Sequence, residues 1–417
     1  MAGLLKAGFG ASCITPPLPC RLDGYVRRQS LSRQVSTQLW ARSIVLDDGE
    51  ARVGWVTCEL LEVDRSLVAD IRAAVEATGP LAGRDLLVSA THTHAGPDLY
   101  RDWDDDDLGH RDARAVYRGF LPLAVASSLV SAVQDLSPAA LAWTEEAVDG
   151  VAADRRSATA RPQRLSVLSA TADGHLKGLV VIFPCHGTVL GPSNLAVSGD
   201  IVGACTQALE ASTGATGRCA WAQGAAGDIS TRSTRRSRAQ PEVERLGSLV
   251  AAAAQRALGR ACPVAPEPSI RLGRAVVPLP HRSAEQFVAF DAVGPSARAD
   301  EDRSEAALAE EAAAARNLRR DGSRQPEHDA EVAVLRIGEV TICFVPGEPF
   351  NSIERAVVEK TGLNELRVVG YSNGAPGYIF GPDEDRDGGY EVMSSPLTGE
   401  AGPRIVAACT KLVLSQE

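Results

Sequence analysis

Leu86-Leu87-Val88-Ser89-Ala90-Thr91-His92-Thr93-His94-Ala95-Gly96-Pro97 joins a short apolar run to two histidines spaced two apart, after which Gly96-Pro97 turns the chain away. An apolar run of this length reads as a buried strand. Residues i and i+2 of an extended strand share a face. The segment therefore predicts a strand whose end aims His92 and His94 into one space. Neutral imidazole is the commonest side-chain metal ligand, and two convergent rings supply half of a four-coordinate zinc site. A pair of hydrogen-bonded surface histidines satisfies the same pattern, so its weight depends on what surrounds it.

Outward from this strand, 41–46 and 52–57 flank Asp47-Asp48-Gly49-Glu50, a hairpin signal. Helical periodicity over 64–78 starts at a capping Asp64 and stops at Gly79-Pro80. A second helix is expected over 114–133. The segment 102–107 is acidic and reads as a solvated loop, and the Ala/Glu/Arg-rich 300–320 as a solvated helix. A second hairpin, 165–170 with 177–183, leads into Pro184-Cys185-His186-Gly187. Next come a helix over 200–210 and a strand over 219–223 that ends in Gly224-Ala225-Ala226-Gly227-Asp228-Ile229-Ser230. A helix over 241–258 precedes a third hairpin, 331–337 with 340–345, ending in Pro346-Gly347-Glu348-Pro349. The remainder reads as a helix over 353–360, a strand over 366–370 and a helix over 404–414. No internal repeat stands out. Strands repeatedly end in glycine-marked turns that carry a polar residue, which is how a sheet presents chemistry along one edge. The expectation is one α/β domain over 1–417, with a mixed β-sheet core, hairpins, flanking helices and the active site at strand ends.

The composition is that of an ordinary globular protein, with 44% apolar and 23% charged residues among 417. A formal charge of −10 and a pI near 5.4 disfavour nucleic acid or an anionic membrane as the main partner. No apolar run approaches the roughly 18 to 20 residues that span a bilayer, and the first residues lack the apolar core of an export signal. Nine cysteines without any Cys-x-x-Cys suggest free thiols in a reducing compartment, hence a cytoplasmic location.

Taken singly, the polar residues at strand ends are modest signals. His186 fits a satisfied near-core histidine. Glu348, between Gly347 and Pro349, is costly to bury unless paired or on a metal. Ser230 and Asp228 fit helix or turn caps, and Tyr378 and Tyr390 fit core aromatics. In order along the chain, however, Thr-His-Thr-His-Ala-Gly-Pro, His186-Gly187, Ala222-Gln223 with Gly227-Asp228-Ile229-Ser230, Pro346-Gly347-Glu348, and Gly377-Tyr378 with Tyr390 form one set. That set resembles the neutral ceramidase family over nearly the whole chain.

The resemblance implies a zinc ion held by His92, His186, Glu348 and Tyr378. It further implies His94 as general acid/base, Tyr390 at the reacting carbonyl, and Ser230 as nucleophile or polar support. An arginine from Arg155-Arg156-Ser157 is also implied, Arg156 being the better match and Arg155 the alternative. Two neutral imidazoles and a carboxylate would leave Zn²⁺ net positive with an open position. Asp200 or Asp228 would orient the histidines from behind. The expected activity is metal-assisted hydrolysis of an N-acyl amide.

Three departures bear on the substrate. The family's C-terminal β-sandwich and export signal are not seen. Thr231-Arg232 replaces the usual Pro-Asn and opens a basic run, and 379–389 is rich in Asp and Gly. With 5% aromatic residues and no helix patterned for a lipid surface, a small-molecule N-acyl substrate smaller or more polar than ceramide is expected. The competing readings are a metal-stabilised binding protein without turnover, a metal-free serine hydrolase using Ser230, and an ester or lactone hydrolase on the same site. The serine-hydrolase reading lacks the Gly-x-Ser-x-Gly elbow.

Overall fold

A computed structural model describes residues 5–25, 28, 30–79, 81–100, 108–157, 161–264, 268–283, 286 and 327–416. The expected acidic loop at 102–107 and helix at 300–320 lie outside these residues. Three sheets carry the fold. The first runs Leu86–Ala90, Arg52–Cys58, Trp40–Asp47, Lys6–Cys13, Ser137–Pro138. The second runs Cys219–Gln223, His175–Phe183, Gln163–Ala172, Ala140–Val148, Cys262–Pro263. The third runs Ile270–Pro280, Glu327–Ile337, Val340–Phe344, Arg367–Val369. The predicted α/β class with mixed sheets is what forms.

The sheets share one unit that the sequence reading did not detect: an antiparallel hairpin, a helix, then a strand parallel to the hairpin's second arm. In the first sheet the hairpin Trp40–Asp47/Arg52–Cys58 is followed by helix Arg65–Thr78 and parallel Leu86–Ala90. In the second, Gln163–Ala172/His175–Phe183 is followed by helix Asp200–Thr213 and parallel Cys219–Gln223. In the third, Glu327–Ile337/Val340–Phe344 is followed by helix Asn351–Thr361 and parallel Arg367–Val369. Parallel strands need such a crossover. Each unit therefore directs two strands with their carboxyl ends at the same edge.

The inner faces of the three sheets meet in one apolar cluster that includes Phe9, Trp55, Trp143, Ile182, Ile342 and Phe344. Trp55 stands edge-on to Phe344, with ring centroids 4.9 Å apart. Helices cover the outer faces: helices Arg65–Thr78, Leu108–Gln134, Asp200–Thr213 and Gln240–Leu258 over the first two sheets, and Asn351–Thr361 with Ala401–Leu414 over the third. The Leu108–Gln134 helix lies so close to strand Lys6–Cys13 that a Cβ on Gly8 or Gly10 would sit 2.0 or 2.1 Å from the carbonyl oxygen of Ala132 or Ser128. Within it, Ala113–Gln134 is long and apolar enough to cross a membrane, by length and composition only. That corrects the expectation of no such run. Half of its most apolar stretch is buried inside the molecule, and the helix packs against the first sheet.

Local signals explain the element ends. Asp64 accepts the Leu67 N–H at 2.7 Å, and Gly79 closes the same helix in the left-handed region. Among the strands that were not anticipated, the two longest are Ala140–Val148 and Ile270–Pro280. Pro278 is tolerated in the latter because that strand is the outer edge of the third sheet.

Candidate active site

The carboxyl ends of the three parallel pairs converge and are tied to one another. Ala90 N–H donates to Tyr371 O at 2.9 Å, and Gly370 N–H to Gln223 O at 3.0 Å. The buried Gln223 side chain donates to Thr91 O at 3.2 Å and to Cys185 O at 2.6 Å, and accepts from Cys185 N–H at 3.1 Å. Each side chain of the site leaves one of these ends. His92 is two residues past Ala90, His186 three past Phe183, and Glu348 four past Phe344.

The two histidines of the pair are not on the strand, as the period-2 argument required. The strand stops at Ala90, and His92 sits at φ 64, in the left-handed region that costs an L-residue energy. That kink, followed by a bridge of Thr93 to Gly187, brings the rings together. His92 Nε2 and His94 Nε2 are 3.2 Å apart. His92 Nδ1 donates to Leu61 O at 2.8 Å, and His186 Nδ1 donates to Ala226 O at 2.7 Å. Because a carbonyl only accepts, both rings are fixed with their Nε2 lone pairs facing inward. The carbonyls do the orienting expected of a carboxylate. Asp200 instead accepts the N–H groups of Val189, Leu190 and Ile201, and Asp228 accepts that of Asn351.

Glu348 Oε2 lies 3.3 Å from His92 Nε2 and 3.4 Å from His186 Nε2. All three residues are buried. His186 Nε2 makes no hydrogen bond. Burial, with Arg155 and His92 nearby, pushes the His186 imidazolium down to about 3. Burial and its two histidine neighbours hold His94 well below the usual range. These are neutral donor rings around a carboxylate. A tetrahedral ion with bonds of about 2.0–2.1 Å to nitrogen and oxygen separates its ligand atoms by about 3.3 Å. The separations of Glu348 Oε2 from His92 Nε2 and from His186 Nε2 match that edge. His92, His94 and His186 all lie within 4.8 Å of one another and can bind a metal, so His94 sits within the cluster as well as beside it.

The other anticipated residues are placed as follows. Tyr378 stands opposite Glu348 in a short parallel pair and stacks on the His186 ring, centroids 6.4 Å apart. Tyr390 packs edge-on to Tyr378 at 6.5 Å. Tyr378, Tyr390, His94 and the buried Ser230 line one cavity. Arg155 lines it too: its guanidinium donates to Gly227 O at 2.6 Å and to the Tyr378 hydroxyl at 3.2 Å. Arg156 turns to the neighbouring cavity, donating to Gly388 O at 2.8 Å and lying over the Phe350 ring. Glu391 pairs with both arginines, at 2.7 Å and 3.0 Å.

Sequence reasoning missed Tyr371 and Arg28. Tyr371 occupies in the third unit the position His92 holds in the first, two residues past the parallel strand, and it too has positive φ, at 55. Its ring lies over His92 at 4.3 Å. Burial and the Glu348 carboxylate hold the Tyr371 and Tyr378 phenols well above their usual range. Arg28 donates to the backbone carbonyl of His94 at 2.8 Å and fixes that turn from behind.

The model of the neutral/alkaline non-lysosomal ceramidase family, N-terminal part, matches residues 5–318, well over half of the chain. The chain belongs to that family. The family and the fold make it an amidohydrolase of ceramidase type. The match includes His92, His94, Arg155, His186 and Ser230 and ends before Glu348. Among solved structures, the neutral ceramidase from Pseudomonas aeruginosa is similar with a TM-score of 0.77 and 17% identity, over 99% of this chain and 74% of that one. A ceramidase complexed with C2 is similar with a TM-score of 0.74 and 17% identity, over 99% of this chain and 75% of that one. At that identity the likeness speaks for the fold, and it extends past Glu348, Tyr378 and Tyr390.

Proposed function

We propose that the protein is a zinc-dependent amidohydrolase that cleaves an N-acyl amide, on a substrate smaller or more polar than ceramide. The observation that carries this reading is the matched set of donor separations around Glu348, made by rings whose tautomers are already fixed. His92, His186 and Glu348 would hold the ion, with Tyr378 completing the set and His94 beside it. A bound zinc ion supplies a Lewis acid that polarises the acyl carbonyl and makes water acidic enough to attack near neutral pH.

The chain's own residues supply the rest. Arg155, fixed by Glu391 and Gly227 O, directs its guanidinium to the Tyr378 hydroxyl at the cavity wall, where it stabilises developing negative charge on the carbonyl oxygen. Tyr390 presents a second hydroxyl from the same wall. His94 is neutral, so its ring can take a proton from the attacking water and pass it to the departing amine, without which an amide does not leave. Ser230 stands at the same wall as a polar support. A purely structural metal site needs none of these groups, which weighs against the binding-protein reading. All nine cysteines are free, six of them buried, and a cytoplasmic location fits those thiols.

The test is metal analysis of the purified protein, chelation with zinc add-back, and a panel of N-acyl amides from acetyl to palmitoyl. The expected result is hydrolysis that falls with chelation, returns with zinc and is absent in His92→Ala. Chelator-insensitive hydrolysis, or a metal-free protein that turns the panel over, would remove the proposal.

A further inference from the structure

A groove of about 380 Å³ runs between helix Arg65–Thr78 of the first unit and the outer strands of the third sheet, Ile270–Pro280 and Glu327–Ile337. It shares no lining residue with the cavity that holds His94. Arg65, Val68, Ala69, Arg72, Ala73 and Glu76 form one wall, and their spacing of three and four puts them on a single helix face. The other wall carries Val276, 64% exposed, with Asp329, Glu331 and Asn373.

The polar groups of this groove are unevenly satisfied. Arg72 holds Glu331 through two bonds, of 2.8 and 2.7 Å, and Arg274 donates to the same carboxylate. Glu331 is thereby neutralised. Asn373 is 2% exposed, and its Oδ1 accepts from Val88 N–H at 3.1 Å and from Arg72 at 3.3 Å. Those two donors fix which end of the amide is oxygen. The other end, Nδ2, is buried without a hydrogen-bond partner, and so is Arg72 Nε. A buried donor in that state costs free energy that an acceptor would recover. Asn373 N–H also donates to Val88 O at 2.8 Å, so the residue is held on the strand that leads to His92. Arg65 and Asp329, by contrast, are exposed and make no ion pair among the described residues.

Unfilled donors therefore share the groove with an unfilled carboxylate and an apolar surface. The geometry points to a binding site for a small zwitterion, an α-amino acid with an aliphatic side chain. Its carboxylate meets Asn373 Nδ2 and Arg65, its ammonium meets Asp329, and its side chain covers Ala73 and Val276. Guanidinium is the donor best shaped for a carboxylate. A simple anion would be repelled by Asp329, and a simple cation would leave Nδ2 unpaired. A ligand carrying both charges answers both groups. This site does not depend on the amidohydrolase reading.

The test is calorimetric titration of the whole protein as purified. Leucine is compared with leucinamide, which lacks the carboxylate, with isocaproate, which lacks the ammonium, and with glycine, which lacks the aliphatic side chain. Leucine is expected to bind, and each of the other three to bind roughly tenfold more weakly. Arg65→Ala should shrink the preference of leucine over leucinamide, and Asp329→Asn the preference over isocaproate. Both residues are exposed, so the two variants should keep the melting temperature of the parent. No leucine bound at millimolar concentration would leave the groove to water and overturn the inference. Analogues that bind as well as leucine, or leucine binding that neither variant weakens, would overturn it too. Loss of hydrolysis on chelation is read separately, so the amidohydrolase reading stands or falls without this result.

Discussion

Arg155 and Arg156 share one carboxylate, Glu391, but of the two only Arg155 lines the cavity that holds His94 and Ser230. Arg155→Ala is expected to lower kcat by about two orders of magnitude with a smaller change in KM, as loss of one oxyanion donor does. Arg156→Ala should cost less than Arg155→Ala, and steady-state kinetics of the pair on one amide checks the order. The sequence favoured Arg156 because a segment match gives position but not facing. Which of two adjacent side chains enters a cavity is settled by the bridge of Asp154 to Ile229, a contact across more than seventy residues of chain. Tyr371 was illegible for a related reason: an aromatic after a strand reads as core until its partner ring, His92, is known to lie against it.

A second prediction at this scale concerns Asp228. Burial, with Asp154 nearby, raises its carboxyl to about 7. In the ordinary carboxylate range and below, the group is protonated when folded and costs little. As pH climbs from that range towards 7 the unfolded chain ionises freely while the folded carboxyl stays protonated, so stability falls over that window and levels off above it. Asp228→Asn keeps an acceptor for the Asn351 N–H and removes that loss. Its melting temperature relative to the parent should rise between pH 5 and pH 8, by the equivalent of a few kcal/mol at most.

The elements themselves were mostly readable. Helix Arg65–Thr78, the three hairpins and strand Cys219–Gln223 lie where periodicity and turn chemistry placed them. Their threefold use was not readable, because the three units share an order of elements and not a pattern of side chains. Ile270–Pro280 escaped because two prolines argue against a strand, and only its edge position admits them. His92 shows the limit of strand periodicity: the rings converge through one left-handed residue, not through the pleat. The contact between Gly10 and Ser128 O gives an element-scale prediction. Gly10→Ala must push the Leu108–Gln134 helix off the first sheet, and overpacking of this kind costs about 1–3 kcal/mol. Urea unfolding should show a lower midpoint with an unchanged slope.

At the scale of the molecule, a group that binds the folded chain and not the unfolded one stabilises it by mass action. Zinc at a hundredfold excess over its dissociation constant is worth about 2.7 kcal/mol. Thermal unfolding of the parent is therefore expected to rise with added zinc and fall with chelator, and His92→Ala should respond to neither. The −10 charge, legible at once, spoke only about partners. The arginine-lined cavity beside the histidines required the fold, since Arg155 and the 232–238 run meet only in space.

The three units that deliver His92, His186 and Glu348 are strung out over more than half of the polypeptide. A nascent chain leaving the ribosome displays the first imidazole long before the carboxylate exists. The proposed ion would meet its full set of donors only after translation has passed the third hairpin, which would make metallation a late step of biogenesis. Truncated translation products would compete poorly for zinc against finished molecules.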